Sequence, residues 1–532
     1  MPAESNPVSA KPEYFSSRWF MMLTMLGMAV GTGNVWRFPR IVAEHGGGAF
    51  IVSWVVCLAS WSIPLILVEF GAGRMTRAGP VGAFMRMMGP RFAWMGAWVA
   101  FVAVAIMFYY SVVCGWTLRY AAAAALGELS GPRPVEFWKT YTSGWGPSLT
   151  HGIAMGLGAF VVARGVRMIE RVNNVMMPAL IVLVLVLTIR AVTLPGASGG
   201  LSYMYSVNLA DLAKADTWLQ ALTQNAWDTG AGWGLILVYA AYMRQNEDTV
   251  LNSFVLPTAN NMVSLCAGMM VLSTVFSVLP GIVASFSTNP AAASDFPALA
   301  SAIQSGQSLT PELVRKTIFS AGNEGLTFNC MPLLFAKLPL GRVLMVLFFI
   351  ALFFAAFTSL MSMIELGSRV LRDMGLPRER AVWIVGVIGF VLGLPSAISI
   401  KVLHNQDWVW GVGLMVSGLF FAIAVIVSGV RRFREQQLNH EGSDFHVGRW
   451  WEIVIGVLVP LQALLLLGWW LYQARGWDPK GWLTPFAVEN VGTILFQWGV
   501  VLACLLIANR WLARRTSPPP PTRENHIPAS VP

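Results

Sequence analysis

Long apolar runs alternate with short polar, arginine-rich segments along almost the whole chain. A helix needs about 20 apolar residues to cross a bilayer, and runs of that length recur throughout. The pattern therefore predicts an all-α integral membrane protein with about twelve transmembrane helices. The predicted spans cover residues 19–42, 47–73, 92–125, 148–164, 167–191, 217–243, 253–287, 339–372, 380–398, 406–431, 449–473 and 488–512.

Arginines gather in the connections that follow the second, fourth, eighth and tenth spans. Cytoplasmic loops of membrane proteins are enriched in Lys and Arg, so these connections predict that both termini are cytoplasmic. We expect a multi-pass protein of a bacterial inner (plasma) membrane. The clustered arginines are Arg74, Arg77, Arg86, Arg91, Arg164, Arg167, Arg171, Arg369, Arg372, Arg378, Arg380, Arg431, Arg432 and Arg434.

The composition supports a membrane protein and gives no indication of an enzyme. Of the 532 residues, 56% are hydrophobic and 12% are charged, whereas soluble proteins carry about 25% charged residues. The net charge of +10 lies largely in the loops, so the expected partner is the lipid bilayer and not nucleic acid. The five cysteines form no C-x-x-C pair, the six histidines are dispersed, and no H-E-x-x-H motif occurs.

Two of the predicted spans contain glycines where a membrane helix should be continuous. The first includes G-M-A-V-G-T-G-N-V-W-R-F-P, from Gly27 to Pro39. The sixth includes N-A-W-D-T-G-A-G-W-G, with Asp228 beside three glycines. Interrupted spans at corresponding positions of two halves indicate an inverted repeat whose broken helices form a binding site.

Glycines can also serve close packing between membrane helices, and a single glycine-rich span would favour that interpretation. Two interrupted spans in register favour a site instead. An ionisable residue such as Asp228 is costly inside a membrane and indicates function by default.

At these residues the chain resembles the neurotransmitter:sodium symporter family, the LeuT-like amino-acid transporters. The first span and its exit, E-H-G-G-G-A-F from Glu44 to Phe50, carry most of the likeness. Further motifs are F-Y-Y-S-V-V-C-G-W in the third span, M-I-E-R-V-N-N-V-M-M-P in the fifth and F-F-A-A-F-T-S-L in the eighth. The likeness extends from about Tyr14 to Trp511.

The resemblance implies a 5+5 inverted repeat with broken helices 1 and 6, followed by two added spans. The implied division is an N-terminal cytoplasmic segment, two repeats, a final pair of spans and a disordered tail. Large extracellular loops are expected near 193–216 and 288–338. The corresponding ranges are 1–17, 18–192, 193–435, 436–515 and 516–532.

The resemblance also implies a substrate site between the broken helices. Backbone N–H groups of Thr32 and Gly33, with the hydroxyl of Tyr110, would hold a substrate carboxylate. The implied substrate-binding residues are Met28, Ala29, Gly31, Thr32, Gly33, Ile106, Tyr110, Trp227, Gly230, Trp233, Ser359 and Met363.

Two sodium sites are implied in the same way, and oxygen ligands throughout suit a hard cation. By themselves, Thr358 and Ser359 could simply bond to carbonyls of their own helix; within F-F-A-A-F-T-S-L the resemblance favours ligation. The first site would comprise Ala29, Asn34, Asp228 and Asn260, and the second would comprise Gly27, Val30, Ala355, Thr358 and Ser359.

The expected gates close the two ends of the pathway. Arg37 and Asp407 would pair on the extracellular side, where Tyr110 and Trp227 would cap the pocket. Asp373 and Tyr242 match the cytoplasmic gate. The arginine that relatives use there is Pro12 in this chain. Lys11 is its nearest replacement, although a lysine cannot form a bidentate fork.

Chloride independence is expected from one position above all. Chloride-dependent relatives carry a tyrosine at the position of Trp54 and a serine or threonine at Asp228. Here Asp228 supplies a fixed negative charge that would repel an anion and attract sodium. Ser264 and Gln224, which relatives use around chloride, are retained.

The resemblance implies a sodium-coupled symporter that imports a neutral, hydrophobic or aromatic amino acid by alternating access. The first span has no acidic residue between Arg18 and Arg40, so the substrate should bring its own carboxylate. Two alternatives are a carrier of another carboxylate or sulfonate solute, such as an osmolyte, and a non-transporting amino-acid sensor. The exact substrate, the sodium stoichiometry, any proton antiport and a monomeric or homo-oligomeric state stay open.

Overall fold

A computed structural model describes residues 13–129, 134–288, 305, 310–441 and 443–516. Lys11 and residues 517–532 of the predicted tail lie outside the described residues. Every regular element within the described ranges is a helix, which confirms the all-α prediction.

Ten of the described helices are long and apolar enough to cross a membrane without interruption. Two further spans, the first and the sixth, are each divided into two helices, which brings the number of spans to twelve. In chain order the helices are α1 (Arg18–Ala29), α2 (Phe38–Glu44), α3 (Gly48–Thr76), α4 (Pro90–Leu126), α5 (Gly146–Ala163), α6 (Val166–Val192), α7 (Ala215–Asp228), α8 (Leu235–Ala240), α9 (Thr249–Thr288), α10 (Gly341–Asp373), α11 (Arg378–Ile398), α12 (Ile400–Ser428), α13 (Trp450–Trp477) and α14 (Val491–Arg515).

Short helices occupy the connections, including the two regions that the sequence predicts as long loops. They allow these connections to pack on the spans instead of leaving their backbone groups unpaired. Their ranges are Pro80–Met88, Pro134–Ser143, Ala197–Tyr205, Leu209–Leu212, Pro311–Phe319, Gly322–Glu324, Met331–Ala336 and Val430–Phe433.

The two long helices α4 and α10 pack against each other at the centre of the bundle. The broken spans lie beside them: α1 contacts α10, and α8 contacts both α3 and α10. By contrast, α13 and α14 expose many large apolar side chains, among them Leu464, Leu465 and Ile507. Such faces suit contact with lipid, so these two helices form the periphery of the fold.

Both described ends of the chain lie on one face of the bundle, together with two arginine clusters. Phe15 N donates to Tyr242 O (3.2 Å), and Trp94 N donates to Asn509 Oδ1 (2.9 Å). Arg369 donates to the carbonyl of Arg77, which joins the arginine-rich connections that follow α3 and α10. This face is called the terminal face below. The division into two repeats at residue 192 stays a prediction.

Candidate functional site

A cavity of about 600 Å³ lies where the two broken spans meet α4, α10 and α12. It extends from the helix breaks to connections on the face opposite the terminal face, including Asn323 and Glu324. Of the predicted substrate-binding residues, only Ile106 is not in its lining; Ile106 is fully buried in α4. The predicted residues that line the cavity are Met28, Ala29, Gly31, Thr32, Gly33, Tyr110, Trp227, Gly230, Trp233, Ser359 and Met363.

The first break leaves backbone groups without helical partners in the middle of the bundle. Helix α1 ends at Ala29, and Val30 adopts an extended conformation with φ −73° and ψ 101°. A helix end leaves its last carbonyls unpaired. Beyond the break, Thr32 N donates to the Tyr110 hydroxyl (3.2 Å). The break therefore leaves carbonyl oxygens without helical partners next to an N–H/hydroxyl pair that lines the cavity.

The second break depends on glycine and on a buried carboxylate. Gly230, Gly232 and Gly234 have φ angles of +75°, +85° and +77°, a conformation that other L-residues rarely adopt. Glu69 of α3 is fully buried beneath them. Its carboxylate accepts from Gly232 N (2.7 Å) and from Leu237 N (3.1 Å). Glu69 thus pairs amide groups that the missing helical turn leaves free.

We expect the substitution Glu69→Ala to destabilise the fold by leaving two buried N–H groups unpaired. Each such group costs about 1–3 kcal/mol. The measurement is the thermal unfolding midpoint of the purified protein in detergent. Glu69→Gln is the matched control because it keeps one acceptor oxygen and nearly the same volume, and its midpoint should fall less. Equal midpoints for Glu69→Ala and the unmodified chain would contradict this account.

Beside the breaks, five buried side chains of three helical segments form one polar cluster. Asn34 Nδ2 donates to Asn260 Oδ1 (3.0 Å) and to Ser264 Oγ (2.8 Å). Asp228 Oδ2 accepts from Ser264 Oγ (3.4 Å) and from Gln224 Nε2 (3.1 Å). Asp228 Oδ1 has no hydrogen-bond partner. Three of the four residues predicted for the first sodium site, Asn34, Asp228 and Asn260, therefore belong to one cluster, and one carboxylate oxygen of Asp228 has no protein donor.

Ser359 connects α10 to the first break. Its hydroxyl donates to Met28 O (3.2 Å) and lies 3.5 Å from Val30 O. Thr358 instead donates to carbonyls of its own helix, Phe354 O (2.9 Å) and Ala355 O (3.2 Å). Hydroxyls that donate in this way still present lone pairs to a cation. The structure therefore brings the carbonyls of Val30 and Ala355 together with the hydroxyls of Thr358 and Ser359, four of the five residues predicted for the second site. Thr358 also makes the intrahelical bonds of the alternative interpretation.

On the face opposite the terminal face the pathway is open. Arg37 and Asp407 both line the cavity, and Arg37 Nη1 donates to Gln224 Oε1 (2.6 Å). None of the ion pairs between described residues joins Arg37 to Asp407. Trp227 lies against α12, where a methyl group added at Gly411 would overlap its indole. The two predicted gate residues therefore both line the cavity without forming an ion pair with each other.

On the terminal face the pathway is closed by contacts among the described residues, including the two predicted gate residues Asp373 and Tyr242. Asp373 pairs within α10 with Arg369 Nε (2.9 Å) and accepts from Gly79 N (2.6 Å). The predicted gate residue Tyr242 donates to Glu365 Oε1 (2.5 Å) and packs edge-on against Phe15. The predicted partner Lys11 lies outside the described residues.

Charged residues that the sequence analysis did not assign to a gate complete this closure. Glu365 of α10 is fully buried and accepts from Arg378 Nη1 (2.7 Å) and Nη2 (3.0 Å). Glu13 Oε2 in turn accepts from Arg378 Nη2 (2.6 Å) and Arg372 Nη2 (3.0 Å). We call Glu13, Glu365, Arg372 and Arg378 the inner cluster.

The pKa of Glu13 shows that the contacts with Arg378 and Arg372 favour its charged form. Burial raises the pKa of Glu13, but the guanidinium groups of Arg378 and Arg372 outweigh that effect and lower it below the ordinary carboxyl value. A carboxyl group whose pKa is lowered in the folded state stabilises the fold at pH values above its ordinary pKa. This contribution is lost as the pH falls through the lowered pKa. Glu13 therefore stays charged and paired at neutral pH.

Comparison with known proteins agrees with this geometry. The sequence profile of the sodium:neurotransmitter symporter family matches residues 12–143 and 142–514. The chain belongs to this family. It is therefore a sodium-dependent membrane transporter and not an enzyme.

Individual members of the family are similar over most of their length. The sodium-dependent transporter YhdH of Bacillus subtilis is 29% identical over 74% of this chain and 80% of its own. The sodium-dependent neutral amino acid transporter B(0)AT3 of Rattus norvegicus is 25% identical over 92% and 89%. The crystal structure of MhsT in complex with L-phenylalanine superimposes with a TM-score of 0.70 at 25% identity, covering 86% of this chain and 99% of that one.

Proposed function

We propose that this transporter carries a neutral, hydrophobic or aromatic amino acid inward together with sodium. The observation that carries the proposal is the cavity at the two helix breaks, which combines polar backbone groups on one side with an apolar wall on the other. The proposal includes the predicted orientation, with the terminal face in the cytoplasm of an inner (plasma) membrane and the open face outside.

The polar side of the cavity suits the carboxylate of the substrate. The N–H groups beyond Gly31 and the Tyr110 hydroxyl converge there, and helix ends attract anions. A substrate carboxylate would replace the bond that Thr32 N now gives to Tyr110. The N–H of Thr32 and the hydroxyl of Tyr110 would then both donate to it.

The apolar wall suits the substrate side chain. Met28, Met363, Trp227 and Trp233 line it, and the two indoles meet edge-on with ring centroids 5.9 Å apart. No acidic side chain of the described first span faces a substrate amine. Two features favour a hydrophobic amino acid: this wall and the L-phenylalanine in the complex of MhsT.

Sodium would bind at two sites in this scheme. Asp228, Asn34 and Asn260 would hold one ion beside the substrate carboxylate, so ion and substrate would strengthen each other's binding. Carbonyls of the first break with Thr358 and Ser359 would hold the other. Oxygen ligands of this kind suit a hard cation, and the free oxygen of Asp228 supports its role.

Binding of sodium and substrate would close the pathway on the open face and then open it on the terminal face. Arg37 and Asp407 would approach each other while Trp227 seals the pocket, after which the inner cluster would separate. The membrane potential adds about 2.3 kcal/mol per inward-moving charge per 100 mV. Sodium entry therefore supplies the driving force for uptake.

The decisive experiment is uptake by purified protein in liposomes. A ¹⁴C-labelled mixture of neutral amino acids is offered under an inward sodium gradient with gluconate as the anion, and unlabelled L-phenylalanine is added as a competitor. We expect uptake that disappears when potassium replaces sodium and that falls in the presence of L-phenylalanine. Sodium-dependent binding without uptake would indicate a sensor. If the protein shows no binding and no uptake of the mixture, this substrate class is excluded.

We expect transport to be independent of chloride because Asp228 supplies a fixed negative charge next to the first sodium site. An anion placed beside this carboxylate would meet a repulsion of about 4 kcal/mol at 4 Å with an effective dielectric constant near 20. Initial uptake rates in sodium chloride and in sodium gluconate should therefore agree within about twofold. A marked acceleration by external chloride would contradict the proposed role of Asp228.

A further inference from the structure

Asn173 of α6 is a buried polar residue that the proposed function does not use. Its side chain is fully buried, and its Nδ2 donates to Ile169 O (2.9 Å). Its Oδ1 has no hydrogen-bond partner. The opposite amide orientation would bring two oxygens together at Ile169, so the hydrogen bond fixes which atom is left free.

The free oxygen points at the broken helix. A methyl group added to Gly27 would overlap Asn173 Oδ1, so this atom lies against the Gly27 backbone. The Cβ direction of a helical residue tilts toward the N-terminus of the helix, whereas its carbonyl points toward the C-terminus. Asn173 Oδ1 therefore lies where the side chain of a residue at Gly27 would begin, and the Gly27 carbonyl points along the helix toward the break.

A buried acceptor without a donor is unfavourable, and packing alone gives no reason for an amide here. A second oxygen donor follows on the same helix. Glu170 lies one turn before Asn173, on the same face of α6. It is 3% exposed and accepts from Ser16 N (2.9 Å) and Ser16 Oγ (2.6 Å), next to the inner end of α1.

We propose that Asn173 Oδ1 binds sodium as the ion leaves the second site toward the cytoplasm. This inference rests on the proposed function and names a residue outside the two proposed sodium sites. An amide oxygen is a suitable ligand for a hard cation, and because it carries no net charge it passes the ion on without trapping it. The carbonyl of Gly27, the amide of Asn173 and the carboxylate of Glu170 form a sequence of oxygens along the inner half of α1.

Side-specific sodium titrations test this proposal. Full-length protein in liposomes takes up the ¹⁴C-labelled neutral amino acid mixture while external and internal sodium are varied separately. The variant Asn173→Ala should require about fivefold more internal sodium for half-inhibition of uptake, with the external requirement unchanged within about twofold. Asn173→Asp keeps the side-chain volume, adds charge and should shift the internal value in the opposite direction.

Asn174→Ala is the matched control. Asn174 is the next amide along α6 and its Oδ1 also has no hydrogen-bond partner, but the side chain is half-buried and the atoms closest to Gly27 belong to Asn173 and Met177 instead. Both of its sodium requirements should equal those of the unmodified chain. Equilibrium binding of ²²Na⁺ in detergent reports whether each variant keeps its sodium sites. An unchanged internal value for Asn173→Ala, or equal changes on both sides, would overturn the proposal. An unmodified chain that neither binds ²²Na⁺ nor takes up amino acids would overturn the proposed function itself.

Discussion

Replacing Asp228 by asparagine is expected to abolish sodium-driven uptake while leaving the fold intact. Asparagine can still accept from Gln224 and Ser264, so the neighbouring contacts survive. The substitution removes the negative charge of the carboxylate, one of whose oxygens, Oδ1, accepts no hydrogen bond from the protein. Breaking a buried charge pair costs about 3–5 kcal/mol, which corresponds to a loss of at least about 100-fold in sodium affinity.

Equilibrium binding of ²²Na⁺ and sodium-dependent uptake measure this effect directly. Asp216→Asn is the matched control because it makes the same substitution in the first turn of the same helix. Asp216 lies outside the cavity lining and is 39% exposed, paired with His45 at 3.2 Å. Its uptake should stay within about twofold of the unmodified chain. Normal sodium dependence in Asp228→Asn would show that this carboxylate does not hold the ion.

The spans and the two helix breaks could be predicted from sequence because both follow from local composition. Apolar runs of sufficient length define the spans. Three glycines that require positive φ, such as Gly230 with φ +75°, have few uses other than an unwound segment. The predicted part of the cavity lining follows for the same reason, since most of those residues belong to the two broken spans.

The residues that sequence analysis missed act through tertiary contacts. Glu69 stands alone in an apolar run, and its intramembrane carboxylate was the available signal. That signal does not show which amides the carboxylate would meet, because one belongs to Gly232 in the second break and the other to Leu237 in the first turn of α8. Ile106 was included by resemblance, and its side chain is buried behind the cavity wall.

The contacts that close the terminal face could not be predicted from the sequence, for a different reason. The resemblance directed attention to Asp373 and to a basic residue ahead of the first span. The structure adds an acidic residue ahead of α1, Glu13, whose partners Arg372 and Arg378 flank the turn between α10 and α11. Pairing of this kind depends on how a turn presents side chains to a distant segment, which sequence spacing does not reveal.

Removing Arg378 is expected to be the most damaging single change in the inner cluster. Its guanidinium donates to both oxygens of the fully buried Glu365 and to Glu13 (2.6 Å). Arg378→Ala leaves the Glu365 carboxylate buried with only Tyr242 and the longer contact to Arg372 (3.5 Å). An uncompensated buried charge costs about 3–5 kcal/mol. We expect a lower thermal unfolding midpoint and faster hydrogen exchange in α1, because the segment that Glu13 anchors is released.

A double-mutant comparison separates this charge effect from a loss of packing. Glu365→Gln combined with Arg378→Ala removes both charges, so the pair should be less destabilised than Arg378→Ala alone. Arg378→Lys should be intermediate because it keeps the charge and loses the fork. Arg380→Ala is the matched control because Arg380 is an exposed arginine two residues after Arg378 in the same helix. It should change the free energy of unfolding by no more than about 0.5 kcal/mol. If the double variant is as unstable as Arg378→Ala, the arginine acts by packing, and the inner cluster does not hold the terminal face closed by charge.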